Sequence, residues 1–332
     1  MSSPSLDTLR GISGSRWFPA LWLVLLMPAP LIYPDAYFLG ILINGMMLAG
    51  LAASWNLMLG FAGIFSFGHQ AFFGLGAYIS ALVAMRLGVS PWLTMPLAGV
   101  VVAAVSLVIA VPCLRLRAAP YIAIATLGFA EICRITAMNL VDITRGELGL
   151  WGIPSLFDGG DRAPYYYAIL AILGLVLAAM IYIQEAPLGM ALRAVREGQD
   201  AAESLGVDIA RIKVLAFVIS SFMAGVVGAF YAHYLNILTP SSVLSVGVMT
   251  EVMAVTLLGG LATLSGPVLG ALGVTLALEY MRGIGDYRLL IYGLAIMLIV
   301  IFMPGGVVPR VVSLWRSYAL RTKARRAPQA QL

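Results

Sequence analysis

The sequence predicts an all-α fold: a polytopic transmembrane helix bundle of about ten spans with both termini cytoplasmic. Three observations lead there. The chain of 332 residues is 61% hydrophobic and 11% charged, with mean hydropathy +0.97. Soluble domains carry about 25% charged residues, so this one lacks the polar side chains to coat a water-facing surface. It also contains ten apolar stretches on the scale of the roughly 20 residues a helix needs to cross the hydrocarbon. Finally, its Lys and Arg residues cluster in alternate connections, as they do when one side of a membrane retains them. The length alone would suggest two soluble domains, but in a bilayer it fits one bundle.

The spans fall near 17–33, 36–59, 69–86, 91–112, 119–138, 164–184, 213–235, 244–262, 266–282 and 287–303. They divide the chain into a cytoplasmic segment 1–16, a membrane domain 17–303 and a basic cytoplasmic tail 304–332. Segment 17–33 resembles a secretory leader in hydropathy. It lacks a small-x-small cleavage site and further spans follow, so it is assigned as the first span. With both termini inside, 14 of the 20 Lys and Arg residues fall on the inner side. The outer side receives five, namely Arg86, Arg145, Arg162, Arg282 and Arg288, while Arg134 lies within a span.

Net charge +5 and pI 9.3 raise the possibility of nucleic-acid binding. The tail "RTKARRAPQAQL" instead places its basic residues just after a hydrophobic span, where they suit anionic membrane lipid rather than nucleic acid. Cys113 and Cys133 have no metal-ligand spacing and are expected to act as small apolar residues. The outer loop near 139–163 holds "RGELGLWGIPSLFDGG". Its Gly, Pro and Trp content suggests a folded cap, either merely solvated or a docking surface for an external partner.

Catalytic chemistry is missing from the sequence. Neither Lys213 nor Lys323 closes a G-x-x-x-x-G-K-[ST] loop, so no phosphate cradle of that kind exists. No G-x-S-x-G or H-E-x-x-H pattern occurs, and His69 and His233 lack neighbouring metal ligands. An enzyme is therefore not expected, nor a resident cofactor or metal. The ionisable residues inside spans are the exceptions worth weighing. Glu131 and Arg134, three apart on one helix, either neutralise each other or line a polar path. Glu251 lies mid-span with no charge nearby in sequence, so it either bonds across helices or faces a pathway. Glu279 and Arg282 sit near the outer interface and are expected to snorkel. In "GFAGIFSFGHQAFFGLGAY", Gly60, Gly63, Gly68, Gly74 and Gly76 surround Ser66, His69 and Gln70. Such density either lets helices pack closely or breaks one so that backbone faces a cavity, with Asn56 just before the break. A second stretch, "LGGLATLSGPVLGALG" from Leu258, resembles "LGFAGIFSFGHQAFFG" from Leu59 in its Leu-Gly, Ser and later Gly positions. Both would follow a span running from outside to inside.

The 185–213 segment, "EAPLGMALRAVREGQDAAESLGVDIARIK", holds nine charged side chains in 29 residues. Pro187 ends the preceding span. Met190, Ala191, Ala194 and Val195 then mark one face of a surface helix, interrupted at Gly198. Asp200 is expected to N-cap a short helix, Ala201 to Leu205, with Glu203 as capping-box partner and Gly206 as its left-handed stop. Asp208 is expected to cap the helix that re-enters the membrane. A five-residue helix is unstable alone. Its signals make sense if a cytoplasmic protein receives an apolar knob of Ala201, Ala202 and Leu205 flanked by Glu197 and other charges.

"DAAESLG" resembles the E-A-A…G coupling loop of ABC importer permeases. Together with "GFAGIFSFGHQAFFGLGAY", "LGLWGIPSLF", "LLGGLATLSGPVLGA" and "MPGGVV" it makes roughly 37–308 similar to the LivM-type branched-chain amino acid permeases. The sequence departs from that pattern at Ala262 and Ser265, where Gly and Trp are more usual, and at Asp200, where Glu is. The resemblance implies an inner-membrane permease subunit, with 139–163 periplasmic and 185–213 a coupling loop. Its implied partners are cytoplasmic ATPases that bind the ATP, a second permease of LivH type and a periplasmic binding protein. Glu197, Asp200, Ala201, Ala202, Glu203, Leu205 and Gly206 would then touch the ATPase, and Asn56, Ser66, His69, Gln70, Glu131 and Glu251 would line the pathway. The competing expectation from the residues alone is a secondary transporter coupled to ions through Glu131 or Glu251. An intramembrane enzyme ranks last.

Overall fold

The computed structural model describes residues 18–113, 119–157, 159–285, 287–303, 305–307 and 310. The expectations for 1–16, Arg115, Arg117, Asp158 and most of the 304–332 tail, including part of "MPGGVV", lie outside these residues. So do those for the side chains of Cys113 and Arg288.

Helices dominate: α1 (Phe18–Leu26), α2 (Ala29–Ile32), α3 (Ala36–Asn56), α4 (His69–Leu87), α5 (Pro91–Cys113), α6 (Ala119–Asn139) and α7 (Val141–Thr144). They continue as α8 (Ala163–Glu185), α9 (Pro187–Glu197), α10 (Gln199–Ser204), α11 (Ile209–Leu235), α12 (Pro240–Val243), α13 (Val246–Gly259), α14 (Gly266–Tyr280) and α15 (Tyr287–Phe302). The β pairing among the described residues is one antiparallel bridge of two residues each, Leu150–Trp151 against Ile237–Leu238.

Among the described residues, seven segments are long and apolar enough to cross a bilayer: Ala36–Phe61, His69–Leu87, Pro91–Pro112, Pro120–Asn139, Ala163–Glu185, Ile209–Leu235 and Pro240–Gly259. The other three expected spans are shorter. Segment 17–33 is divided into α1 and α2 by a turn at Met27–Pro28. Helices α14 and α15 have 15 and 16 residues, about 22–24 Å at 1.5 Å per residue, against a hydrocarbon core of roughly 30 Å. Large apolar side chains such as Leu93, Val108, Ile124, Ile132 and Leu175 are exposed around the bundle. In a multi-pass membrane protein these are the surfaces that meet lipid.

Helix α11 is the central post, packed against α4, α5 and α3. Small residues make this possible. A Cβ on Gly76 would lie 2.2 Å from the Gly225 carbonyl oxygen, and one on Gly228 would lie 1.9 Å from that of Phe73. The dense glycines of 60–76 thus serve close packing in their second half, where Gly74 and Gly76 lie in α4. Trp55, Tyr166, Phe72, Phe217 and Phe230 are the largest fully buried side chains and fill the space between these helices.

The 140–162 connection and the 186–208 connection lie at opposite ends of α8 and α11, which we call the outer and inner ends. The outer connection is a folded cap. Arg145 takes a left-handed φ of 59° and lies over the Trp151 ring at 5.0 Å. Trp92, Phe157 and Tyr165 form an edge-to-face aromatic chain beneath the cap. Its central fastening is His233, which the sequence singled out only for lacking metal neighbours. Nδ1 donates to the Pro154 carbonyl at 2.8 Å, while Nε2 meets Ser80 Oγ at 2.8 Å and Thr94 Oγ1 at 3.3 Å. A carbonyl only accepts, so Nδ1 carries a hydrogen. Asn236, next to the bridge, adds Nδ2 bonds to Ile153 O and Ser155 Oγ. Replacing His233 by Ala takes the donor from the Pro154 carbonyl and one bond from the Ser80–Thr94 pair, which keeps its own contact at 2.8 Å, each loss worth about 1 kcal/mol. We expect the H233A chain to unfold at clearly lower temperature in detergent, measured by intrinsic tryptophan fluorescence.

Candidate functional site

At the inner end two helices break side by side. Helix α3 runs into a π-helical turn, Leu57–Phe61, in which the Ala62 N–H reaches the Leu57 carbonyl. The chain then folds back through 62–68 before α4 begins at His69. Gly63 sits there at φ +68°, in the left-handed region that suits glycine. Helix α13 likewise ends at Gly259, and the chain turns through 260–265 into α14. These are the two stretches with similar sequence, and the structure sets them against each other.

Asn56 joins them. It is fully buried, donates from Nδ2 to the Thr263 carbonyl at 2.8 Å and accepts the Ala262 N–H on Oδ1 at 3.0 Å. Both ends of one carboxamide therefore satisfy backbone groups that the second break has released from helix. Gly60 is required beside it, since a Cβ there would fall 2.1 Å from Asn56 Oδ1 and 2.7 Å from the Ala262 nitrogen. Ala262 adopts φ +57°, a conformation that costs a non-glycine residue roughly 1–2 kcal/mol. That cost gives a physical reason for the glycine more usual at this position.

The first break is held from its other side. The Trp55 indole donates to Ser66 O at 2.8 Å, Ser66 Oγ accepts from the Gly68 N–H, and the Phe67 N–H donates to Thr126 Oγ1 at 3.0 Å. His69 Nε2 lies 2.7 Å from Ser54 Oγ. His69 Nδ1 and both amide atoms of Gln70 are buried with no hydrogen-bond partner among the described residues. Of the six candidate pathway residues, Asn56, Ser66, His69 and Gln70 thus gather at one place. Glu131 and Glu251 do not join them. Glu131 chelates Arg134, whose Nε lies 3.0 Å from both carboxylate oxygens, while Glu251 is exposed on α13.

The inner connection lies directly under the breaks. Helix α9 is one-sided as expected, but its buried face is Gly189, Leu192 and Val195, with Met190 64% exposed. Gly189, Leu192 and Val195 fall at i, i+3 and i+6, and this stripe rather than the one through Met190 and Ala191 meets the bundle. Arg193 caps the end of α8 through the Gln184 carbonyl at 2.9 Å. Arg196 donates to the Gly60 carbonyl, and its side chain lies against Gly63. Sequence reasoning passed over Arg196, Thr126 and Thr263; the likeness of the two Gly-rich stretches was the one hint that they form a single device.

The expectation for α10 needs correcting at two points. The helix is Gln199–Ser204, its N-cap is Gly198, and no side chain caps it. Asp200 is in the first turn, where its charge suits the helix dipole, and it makes no capping box with Glu203. Secondly, the apolar knob divides: Ala202 is 2% exposed and packs inward, whereas Leu205 is 83% exposed and Ala201 faces outward. Five or six residues cannot present i, i+1 and i+4 outward while also resting on the protein. Glu197 is exposed as the last residue of α9, two residues before α10. The stop itself follows expectation. Gly206 has φ +82°, its N–H donates to Glu203 O at 2.9 Å, and Val207 N–H donates to Ala202 O at 3.0 Å, the Schellman pattern. Asp208 caps α11 by accepting the Arg211 N–H at 3.0 Å. Lys213, 4% exposed, donates to Gln199 Oε1 at 3.0 Å and so ties α10 to α11. Between them lies a cavity of about 460 Å³ whose lining includes Asp200, Glu203 and Asp208.

A multi-pass all-α membrane protein, with two broken helices braced by a surface-lying helix pair, is the class this fold defines. The family model for the branched-chain amino acid transport system permease component matches residues 37–303, and the chain belongs to that family. The high-affinity branched-chain amino acid transport system permease protein LivM of Escherichia coli is 31% identical over 91% of this chain and 77% of its own. LivH of the same organism is 26% identical over 82% and 96%. The probable LivH of Methanocaldococcus jannaschii is 23% identical over 79% and 86%. No solved structure matches the chain.

Two substitutions test the junction. Asn56→Ala leaves the Ala262 N–H and the Thr263 carbonyl unpaired, at about 1–3 kcal/mol each, so thermal denaturation in detergent should shift down by several degrees. Ala262→Gly removes the left-handed strain and should stabilise by about 1 kcal/mol, seen as a higher midpoint in the same assay.

Proposed function

We propose that the chain is the membrane permease subunit of an ATP-binding-cassette importer for branched-chain amino acids, acting in the inner membrane. Family membership supports this reading, and one structural observation carries it: the inner helix α9, which leads directly into α10, touches the first broken helix through Arg196. A protein that pushes on α10 therefore acts on the Asn56 junction through α9. The partner so implied is a cytoplasmic ATPase that binds the ATP, since the sequence holds no phosphate-binding loop of its own.

In this reading Leu205 and Ala201 enter a groove of the ATPase, with Asp200 and Glu203 at its rim, while Ala202 and Gly206 hold the helix in shape. A second permease of LivH type would pair with this chain, and a periplasmic binding protein would dock on the outer cap, where Leu148 and Trp151 are exposed. Asn56, Ser66, His69 and Gln70 would form the hinge of the pathway rather than its lining, because the structure buries all four. Family membership does not favour the ion-coupled alternative.

The test is uptake of labelled leucine by proteoliposomes holding the assembled importer. Uptake should require ATP and the ATPase subunits, and transport driven by an ion gradient alone would overturn the reading. Leu205→Glu should abolish ATP-dependent uptake while leaving the thermal stability of this chain within about 0.5 kcal/mol, as usual for an exposed site. Ala202→Glu should instead lower stability, because that position packs inward.

A further inference from the structure

Glu251 presents a problem that neither packing nor the coupling device solves. It is the twelfth residue of the 20-residue candidate span Pro240–Gly259, so it lies near mid-membrane. A carboxylate at such a depth costs several kcal/mol on insertion scales unless it is neutralised or hydrated. Yet Glu251 is exposed, with no hydrogen bond or ion pair among the described residues, while its neighbours Met249 and Val252 turn inward. Among the described residues no cation pairs with it. Within the candidate spans, Arg86, Arg211 and Lys213 lie near helix ends, and Arg134 is taken by Glu131.

What surrounds Glu251 suits a small cation. Tyr231 of α11 and Tyr292 of α15 are both within its electrostatic reach. The Tyr292 hydroxyl is buried with no partner among the described residues. An unpaired carboxylate with a free phenol oxygen in reach can take an ammonium group by charge and by hydrogen bonding. The same helix also exposes Val246, five residues before Glu251, an apolar surface that suits an aliphatic side chain.

We propose that Glu251 is the ligand for the α-ammonium group of the transported amino acid. This assignment rests on the importer reading and adds to it the residue that distinguishes an amino acid from its deaminated acid. It also gives the exposed face of α13 a direction, toward the pathway rather than toward lipid.

Gly247 lies one turn before Glu251, is exposed, and has room for a Cβ. In the full-length Gly247→Cys chain in nanodiscs, without a binding protein, leucine and leucinol should slow labelling by a polar thiol reagent. We expect about a tenfold slowing, equivalent to ~1.4 kcal/mol at equal occupancy. The deaminated analogue 4-methylpentanoate should give none. Adding Glu251→Gln should abolish the protection, and Glu251→Asp should keep part of it. The proposal is overturned if leucine fails to protect the Glu251 chain, if 4-methylpentanoate protects equally, or if protection survives Glu251→Gln. Loss of co-purification with the second permease in E251Q, with leucine protection intact, would assign Glu251 to the subunit interface instead. None of these outcomes depends on ATP, so failure of the importer reading shows separately, as uptake without the ATPase.

Discussion

The carboxamide of Asn56 sits where two helices cease to be helical, and the inner half of the molecule is arranged around it. A broken helix inside a membrane protein releases N–H and C=O groups that lipid cannot satisfy. Here one side chain meets one donor and one acceptor of the opposite break, at 3.0 and 2.8 Å. The geometry excludes any side chain at Gly60. Because the two breaks share this residue, α3 and α13 cannot shift independently at their inner ends without exposing backbone polar groups.

That coupling gives the inner helices their mechanical meaning. Helices α9 and α10 are too short to be stable alone, and they are held by specific contacts: Arg193 on the end of α8, Arg196 on Gly60, Lys213 on Gln199. Under the proposed importer function, force applied to α10 would pass to α9 and then to a backbone that is already non-helical, where reorganisation is cheapest. At the other end, His233 and Asn236 fasten the cap to the top of α11. The central post therefore carries a rigid attachment outside and a jointed one inside.

Much of this was legible in the sequence. Composition and span-length apolar runs gave an all-α membrane bundle, because a bilayer admits few alternatives to helices. The Asp208 cap and the Gly206 stop were readable because they depend on groups two or three residues away. So was the Glu131–Arg134 pair, which is local to one helix. The capping box at Asp200 failed for a tertiary reason: α9 and α11 fix where α10 starts, and they place Gly198 at its N-cap. The same packing turned Ala202 inward and left Leu205 alone outside.

By itself, then, the sequence determined the class of fold, the places where helices stop and the family motifs, all of which follow from local chemistry and hydropathy. Only the tertiary structure decided that the two Gly-rich stretches face each other and that Asn56 joins them. It alone set Arg196 against the break, and it alone left Glu251 exposed at mid-membrane while burying His69 and Gln70. Those are contacts between residues up to 207 positions apart. No periodicity encodes them, because they depend on how whole helices pack.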